Sequence, residues 1–551
     1  MGQLLSPQQI AEKLDVAPAD YVPYGDGVAK LRAESAFLPE GAKLGGKLVL
    51  VSAITPSPAG EGKTTISIGL TDALRVRGVN AIAALRQPSL GPTLGSKGGG
   101  AGGGRARLEP FERVNLGLTG DIHAVTSAHN LLASMVDNAL HFSTVKGLDA
   151  RRVEFPRVID LDDRSLRHVM VGLGGVLQGI PRESRFDITA ASEVMAVLCL
   201  SRDYADLKAR LSRLRVASTK DGTAITAADV GAVGGMAVVL REAMLPNLAQ
   251  TFEGSPAMIH GGPFGNIAHG CSSIVATRWA LSRAEVVVTE AGFGFDLGAE
   301  KFFDIKCRAA GVWPHALVLV ATCKALKVHG GTPLARANEP DEAALRKGFG
   351  NLRHHLATAK NTYGLEATVA INVFPGDTES ELALLESLVR ELGHPVARST
   401  GYTAGAEGGL AVADCVKAQL AKAEPNPTPR PLYPLEATLE AKIESIAKTI
   451  YGATAVEYSA QAKKDLARAE AAGLAGAPVC MAKTHLSLTA DPAKGGCPQP
   501  HVLPIQAARL SAGAGFVVAL CGDIMTMPGL GREPAVLGMS LTDGGEIVGL
   551  K

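Results

Sequence analysis

Nine consecutive residues, Ser57-Pro58-Ala59-Gly60-Glu61-Gly62-Lys63-Thr64-Thr65, form a set that can hold the phosphates of ATP. Glycines let backbone N–H groups turn toward phosphate oxygens, the lysine neutralises the β/γ end, and the next hydroxyl reaches Mg²⁺. Gly60, Gly62, Lys63 and Thr64 stand where that chemistry needs them, which makes Thr64 the metal-ligating candidate. The loop is a variant, because Ser57, followed by Pro58, occupies the position where the usual pattern has glycine. The plainer alternative is a glycine-rich turn that binds nothing.

Two further segments carry unusual residues. Arg86-Gln87-Pro88-Ser89 offers a guanidinium beside an amide and a hydroxyl, and Thr119-Gly120-Asp121-Ile122-His123 places a carboxylate close to an imidazole. Between them, Gly98 to Gly104 reads equally as a flexible linker or as backbone that must approach something closely. His123, His129, His141, His260, His269 and His329 form no metal-binding spacing, so no protein-bound transition metal is expected.

Such groups act together only if the fold converges them. Leu48–Val51, Ala81–Ala83, Val286–Val288, Leu317–Val320 and Thr368–Ile371 are continuous apolar runs of strand length. A parallel sheet buried on both faces requires such strands. Helical stretches at Thr64 to Arg77 and Glu379 to Gly393 accompany them, so the chain predicts an open α/β sheet. Each run ends in polar chemistry: the phosphate loop, Arg86-Gln87, Thr289-Glu290, Ala321-Thr322 and Asn372-Val373-Phe374. Ligands of open α/β sheets bind beyond the carboxyl ends of the strands, so one shared cleft is expected there.

At 551 residues the chain should divide into two to four domains. Connectors are expected at Glu424–Pro431, which is proline-rich, and around Gly473 to Pro478. With 55 basic against 54 acidic residues, the chain carries no field for nucleic acid or an anionic membrane. Eight scattered cysteines imply reduced, packed thiols, and no apolar run is long enough to span a bilayer. Met1-Gly2 through Ser6 fits a loose acylation pattern, but Ser6-Pro7 with Gln9 reads better as a helix cap. No secretory leader is visible, so a cytoplasmic location is expected.

Together these segments resemble the formate–tetrahydrofolate ligase (formyltetrahydrofolate synthetase) family almost end to end. The resemblance runs through Thr55-Pro56 with the phosphate loop, Leu85 to Pro92, Gly95 to Gly104, Thr119 to Thr126 and Ala128 to Ala133. It continues through His260 to Phe264, Asn266 to Gly270, Thr289 to Lys301, Val320 to Gly331, Phe374 to Thr378 and Ile524 to Leu530. This chain departs from the family pattern at Gly100 and Arg105, at Cys323-Lys324, at Gln87 in place of the usual glutamate, and at Tyr402 where a relative has tryptophan.

The resemblance implies a P-loop-type, largely parallel sheet in a large N-terminal domain (1–365), with two smaller α/β domains (366–475 and 476–551). Residues 86–123 would form an excursion packing on the last of these. It implies ligation of formate to tetrahydrofolate, driven by ATP with Mg²⁺ through formyl phosphate. Residues 57–65 would bind ATP, with Lys63 catalytic. Arg86 would hold formate and formyl phosphate, with Gln87 and Ser89 beside it, and Phe374 and Tyr402 would sandwich the pterin. Asp121 and His123 would act near the amine, or else tie loops together as a buried pair. A monovalent cation is compatible, no tightly bound organic cofactor is required, and a homotetramer is implied. A nucleotide switch, or a ligase for another carboxylate, is the competing reading.

Overall fold

In the strand Lys47–Ala53, Leu48 and Leu50 enter one apolar core while Val49 and Val51 enter another. The two-residue period of a strand sends alternate side chains to opposite faces, so a continuous apolar run needs a layer on each side. The computed structural model describes residues 4–58, 60–95 and 100–550. Among these residues the same alternation recurs in Ala316–Ala321, where Leu317 and Leu319 face the first core and Val318 and Val320 the second.

These strands belong to a twelve-stranded sheet. In chain order its strands are β1 (Tyr21–Pro23), β2 (Ala29–Leu31), β3 (Lys47–Ala53), β4 (Ala81–Leu85), β5 (Gly102–Gly103) and β6 (Ala106–Glu109). They continue as β7 (Asn247–Thr251), β8 (Pro256–Ile259), β9 (Val286–Glu290), β10 (Ala316–Ala321), β11 (Ala367–Asn372) and β12 (Val396–Ser399). The spatial order is β1-β2-β7-β8-β4-β9-β3-β10-β11-β12, with β6 bridging β5 and β7. From β8 to β12 every neighbouring pair is parallel. Beyond β8 the pairing turns antiparallel.

All five expected runs are strands of this parallel array. The expected helices form as α1 (Lys63–Val76) and, further along the chain, Glu379–Glu391, the latter opened by a Thr378–Glu381 capping box. The Ser6 cap also forms: Ser6 Oγ accepts from Gln9 N at 3.2 Å, and Gln9 Oε1 accepts from Ser6 N. Gly2 lies outside the described residues.

The expected domain limit at 365/366 falls inside the sheet, because β11 pairs with β10 over five residues. Residues 424–437 contain no helix or strand, as the prolines there suggest. Beyond them, Val479–Ala482 runs parallel to Phe516–Leu520, which pairs antiparallel with Ala507–Ser511. The 86–123 excursion divides its packing. Gly95 O accepts from Ala535 N near the C-terminus, whereas β6 pairs with β7 in the main sheet.

Candidate active site

The candidate phosphate loop, residues 57–65, joins β3 to α1. Gly60 and Gly62 have φ of 77° and 76°, in the left-handed region that favours glycine. A Cβ on Gly62 would also lie 2.3 Å from Asn372 Nδ2 at the end of β11. That amide donates to Glu61 O at 3.0 Å, and Glu61 Oε1 accepts from Ser57 N at 2.7 Å. The loop is therefore closed on itself and pinned to a strand two positions away. Pro58 is exposed at its tip, and Ala59 lies outside the described residues.

Lys63 is the first residue of α1, followed by Thr64 and Thr65. Burial pulls the Lys63 ammonium below the usual lysine range, Glu61 and Glu290 oppose that pull, and Arg86 adds to it. The loop lysine and Arg86 thus share one neighbourhood. Thr64 Oγ1 donates to Glu290 Oε2 at 2.9 Å. Glu290 ends β9, the strand between β3 and β4. A hydroxyl beside a carboxylate is a hard-oxygen pair suited to Mg²⁺. The sequence reading missed Glu290 in this role, although it is the first charged residue after Val286-Val287-Val288-Thr289.

Arg86 follows β4 directly, and its Nη1 donates to Pro263 O at 3.0 Å. A Cβ on Gly292 would approach Nη1 and Nη2 to 3.1 and 3.2 Å, so the guanidinium lies along the backbone that follows β9. Gln87 N donates to Gly261 O, while its side chain is 2% exposed with neither amide atom hydrogen-bonded among the described residues. Ser89 Oγ donates to Asp160 Oδ1 at 2.5 Å, which ties this segment to the loop at 160–163.

Asp121 and His123 are not brought together. Asp121, at the start of helix α2 (Asp121–Phe142), is buried, with Lys30 Nζ 2.8 Å from Oδ1 and Asn247 Nδ2 2.7 Å from Oδ2. His123 is exposed. Residues two apart on a helix point in different directions, so the expected Asp–His tie does not form. The other histidines divide similarly. His129, His260 and His329 are buried and hydrogen-bonded, and His141 is exposed. Both ring nitrogens of buried His269 lack a partner among the described residues. All eight cysteines are free thiols. No described helix is long and apolar enough to cross a membrane.

Phe374 and Tyr402 follow β11 and β12, at the same end of the sheet as the loop. Phe374 is half-buried and its N–H donates to Asp377 Oδ2 at 2.8 Å. Tyr402 is 56% exposed, and its carbonyl accepts from Arg105 N at 2.8 Å. At Gly103 and Gly104 the glycines serve close approach rather than slack. A Cβ on Gly103 would meet the Tyr402 ring at 2.9 Å, and one on Gly104 would meet its carbonyl oxygen at 2.0 Å. Residues 96–99 of that run lie outside the described residues.

A family model described as formate–tetrahydrofolate ligase matches residues 2–551. The formate–tetrahydrofolate ligase of Myxococcus xanthus is 52% identical over 543 residues, covering 98% of each chain. That of Paracoccus denitrificans is 51% identical and covers 100% of this chain and 98% of its own. That of Symbiobacterium thermophilum is 49% identical, over 98% of this chain and 97% of its own. The chain belongs to the formate–tetrahydrofolate ligase family. In this member of the formate–tetrahydrofolate ligase family, Lys63, Thr64, Arg86 and Glu290 converge at the strand ends, while the aromatic candidates stand toward the β12 edge.

Proposed function

We propose that this enzyme joins formate to tetrahydrofolate at the expense of ATP, giving 10-formyltetrahydrofolate, ADP and phosphate through formyl phosphate. The observation that carries the reading is the convergence of Arg86 and Lys63 at the mouth of a glycine loop whose Thr64 meets Glu290.

Formate is a poor electrophile. A formate oxygen attacks the γ-phosphorus and the bond to ADP breaks, which leaves a mixed anhydride. The exocyclic nitrogen of tetrahydrofolate then attacks the formyl carbon, phosphate leaves, and the amine loses a proton. The first step drives one anion onto another. Two unit charges ~4 Å apart repel by about 1 kcal/mol in water and about 4 kcal/mol at an effective dielectric near 20. Lys63 offsets this at the transferring phosphate, and the Arg86 fork suits formate and its phosphorylated form alike. Thr64, with Glu290 beside it, would hold Mg²⁺, which supplies positive charge to the phosphate oxygens when bound.

Gln87 lies next to Arg86 with a buried amide that a substrate oxygen can partner. Ser89, engaged by Asp160, shapes the segment. Asp121 has both oxygens occupied and serves positioning, while exposed His123 is the candidate to receive the amine proton. Phe374 and Tyr402 wall the pterin. The same reading includes a cytoplasmic homotetramer, which sedimentation velocity tests directly.

The deciding experiment measures ADP release with formate alone, tetrahydrofolate alone and both, with hydroxylamine present to trap formyl phosphate. Hydroxamate should form with ATP and formate before any folate is added. Ligation without trappable hydroxamate would remove the intermediate from the scheme.

A further inference from the structure

Thr55, two residues before the loop opens at Ser57, has every polar atom engaged by side chains remote in sequence. Its N–H donates to Asn351 Oδ1 at 3.1 Å, and its carbonyl accepts from His329 Nε2 at 2.7 Å. Its hydroxyl donates to Asp296 Oδ1 at 3.2 Å, accepts from Asn351 Nδ2 at 3.0 Å, and lies 3.0 Å from His355 Nε2. All five residues are buried. Burial holds His329 below its usual value and His355 at about 3, so both rings are neutral near pH 7.

The second tier of this network comes from the C-terminal segment. Lys483 Nζ donates to Asp296 Oδ2 at 2.9 Å and to Thr484 O at 3.1 Å, with neither charged side chain exposed. Gly496 N donates to His329 Nδ1 at 3.0 Å, and Gly496 O accepts from Asn351 Nδ2 at 2.8 Å. The two ends of one C-terminal stretch thus hold Asp296, His329 and Asn351, three of the four side chains that hold Thr55. Burial pushes the Asp296 carboxyl up, but Lys483 leads a set of opposing contacts that together bring it below the usual carboxylate value. That carboxylate also bears on the Lys63 ammonium.

We propose that Lys483 is a positioning residue for ATP: through Asp296 and Thr55 it sets the phosphate loop in its nucleotide-binding conformation. The inference rests on the phosphate-loop reading above. A carboxylate buried without its cation draws in water or turns toward another donor, and Thr55 is the only hydroxyl that donates to it among the described residues. A loop displaced by even 1 Å loses much of its alignment with the reacting phosphate.

Full-length Lys483→Met, Asp296→Asn and the double variant are compared with wild type for KM of ATP, KM of tetrahydrofolate, ADP·Mg affinity and Tm. Lys63→Ala serves as the control. Lys483→Met should raise KM for ATP about tenfold or more and weaken ADP equally, with KM for tetrahydrofolate held within about twofold. The double variant removes both charges. Its Tm should recover while KM for ATP stays about fivefold raised, because the tie from the C-terminal segment through Asp296 to Thr55 is lost. If the single variant does not fold, the double variant decides.

A lowered Tm with KM for ATP unmoved, or recovery of both in the double variant, overturns the proposal and leaves the pair a purely structural contact. Full activity of Lys63→Ala would instead remove the phosphate-loop reading itself, whatever the Lys483 variants do.

Discussion

Thr55, just past β3, and Tyr402, just past β12, lie at the same end of one sheet yet are held in opposite ways. Thr55 is fixed through backbone and hydroxyl by Asp296, His329, Asn351 and His355, all of them buried. Tyr402 is anchored through its carbonyl, while more than half of its surface faces solvent. The difference fits the two tasks proposed for these ends. Phosphoryl transfer gains from charges fixed before the reaction, because reorganisation at the moment of reaction costs rate. A flat heterocycle gains from contact area, which a ring can provide over a range of tilts.

The contrast can be broken by substitution, and the largest effect is expected at the rigid end. Lys63→Ala should lower formate-dependent ATP turnover by about a thousandfold or more with an unchanged circular dichroism spectrum. Retention of most activity would mean that the rigid end is not the phosphate site. Arg86→Ala should slow both half-reactions by about a hundredfold, read as hydroxamate formed with ATP and formate alone. A normal hydroxamate rate would show Arg86 misassigned.

At the adaptable end the effects shrink. Tyr402→Ala should raise KM for tetrahydrofolate by about tenfold, since a stacked ring adds roughly 0.5–1.5 kcal/mol beyond burial and 1.4 kcal/mol is a factor of ten. KM for ATP and formate should barely move, and Tyr402→Trp should retain or tighten folate binding. Equal losses for all three substrates in Tyr402→Ala would erase the contrast. The smallest change is expected for Gln87→Glu, which puts a carboxylate beside Arg86 and should alter rate modestly. A dead variant would mean that the site is built around the amide.

The parallel core was legible because its strands are short apolar runs whose alternate residues fill two cores, as Leu48 and Val49 do. Two strands of the same array were not. β8 begins at Pro256 and β12 contains Arg398 and Ser399, so neither reads as a continuous apolar segment. The strand–loop–helix turn was legible because its residues are local, with Gly62 at positive φ immediately before the helix that Lys63 and Thr64 open. Glu290 was within reach, as the polar end of an apolar strand. Asn351, His329 and Lys483 were not, because a side chain that acts through Thr55 leaves no pattern around itself. Asp121 and His123 misled by proximity in sequence, since the helix that starts at Asp121 turns them apart.

The spread of the Thr55 contacts along the chain has a consequence for how the molecule is made. Domains fold as they emerge from the ribosome, at roughly 5–20 residues per second, so on the order of tens of seconds separates synthesis of the loop from synthesis of Lys483 and Gly496. Until its end the nascent chain carries a complete glycine loop whose direct supports, Asp296, His329 and Asn351, lack the contacts from Lys483 and Gly496. On the proposed role of Lys483, the setting of the glycine loop is therefore completed only with the last tenth or so of translation.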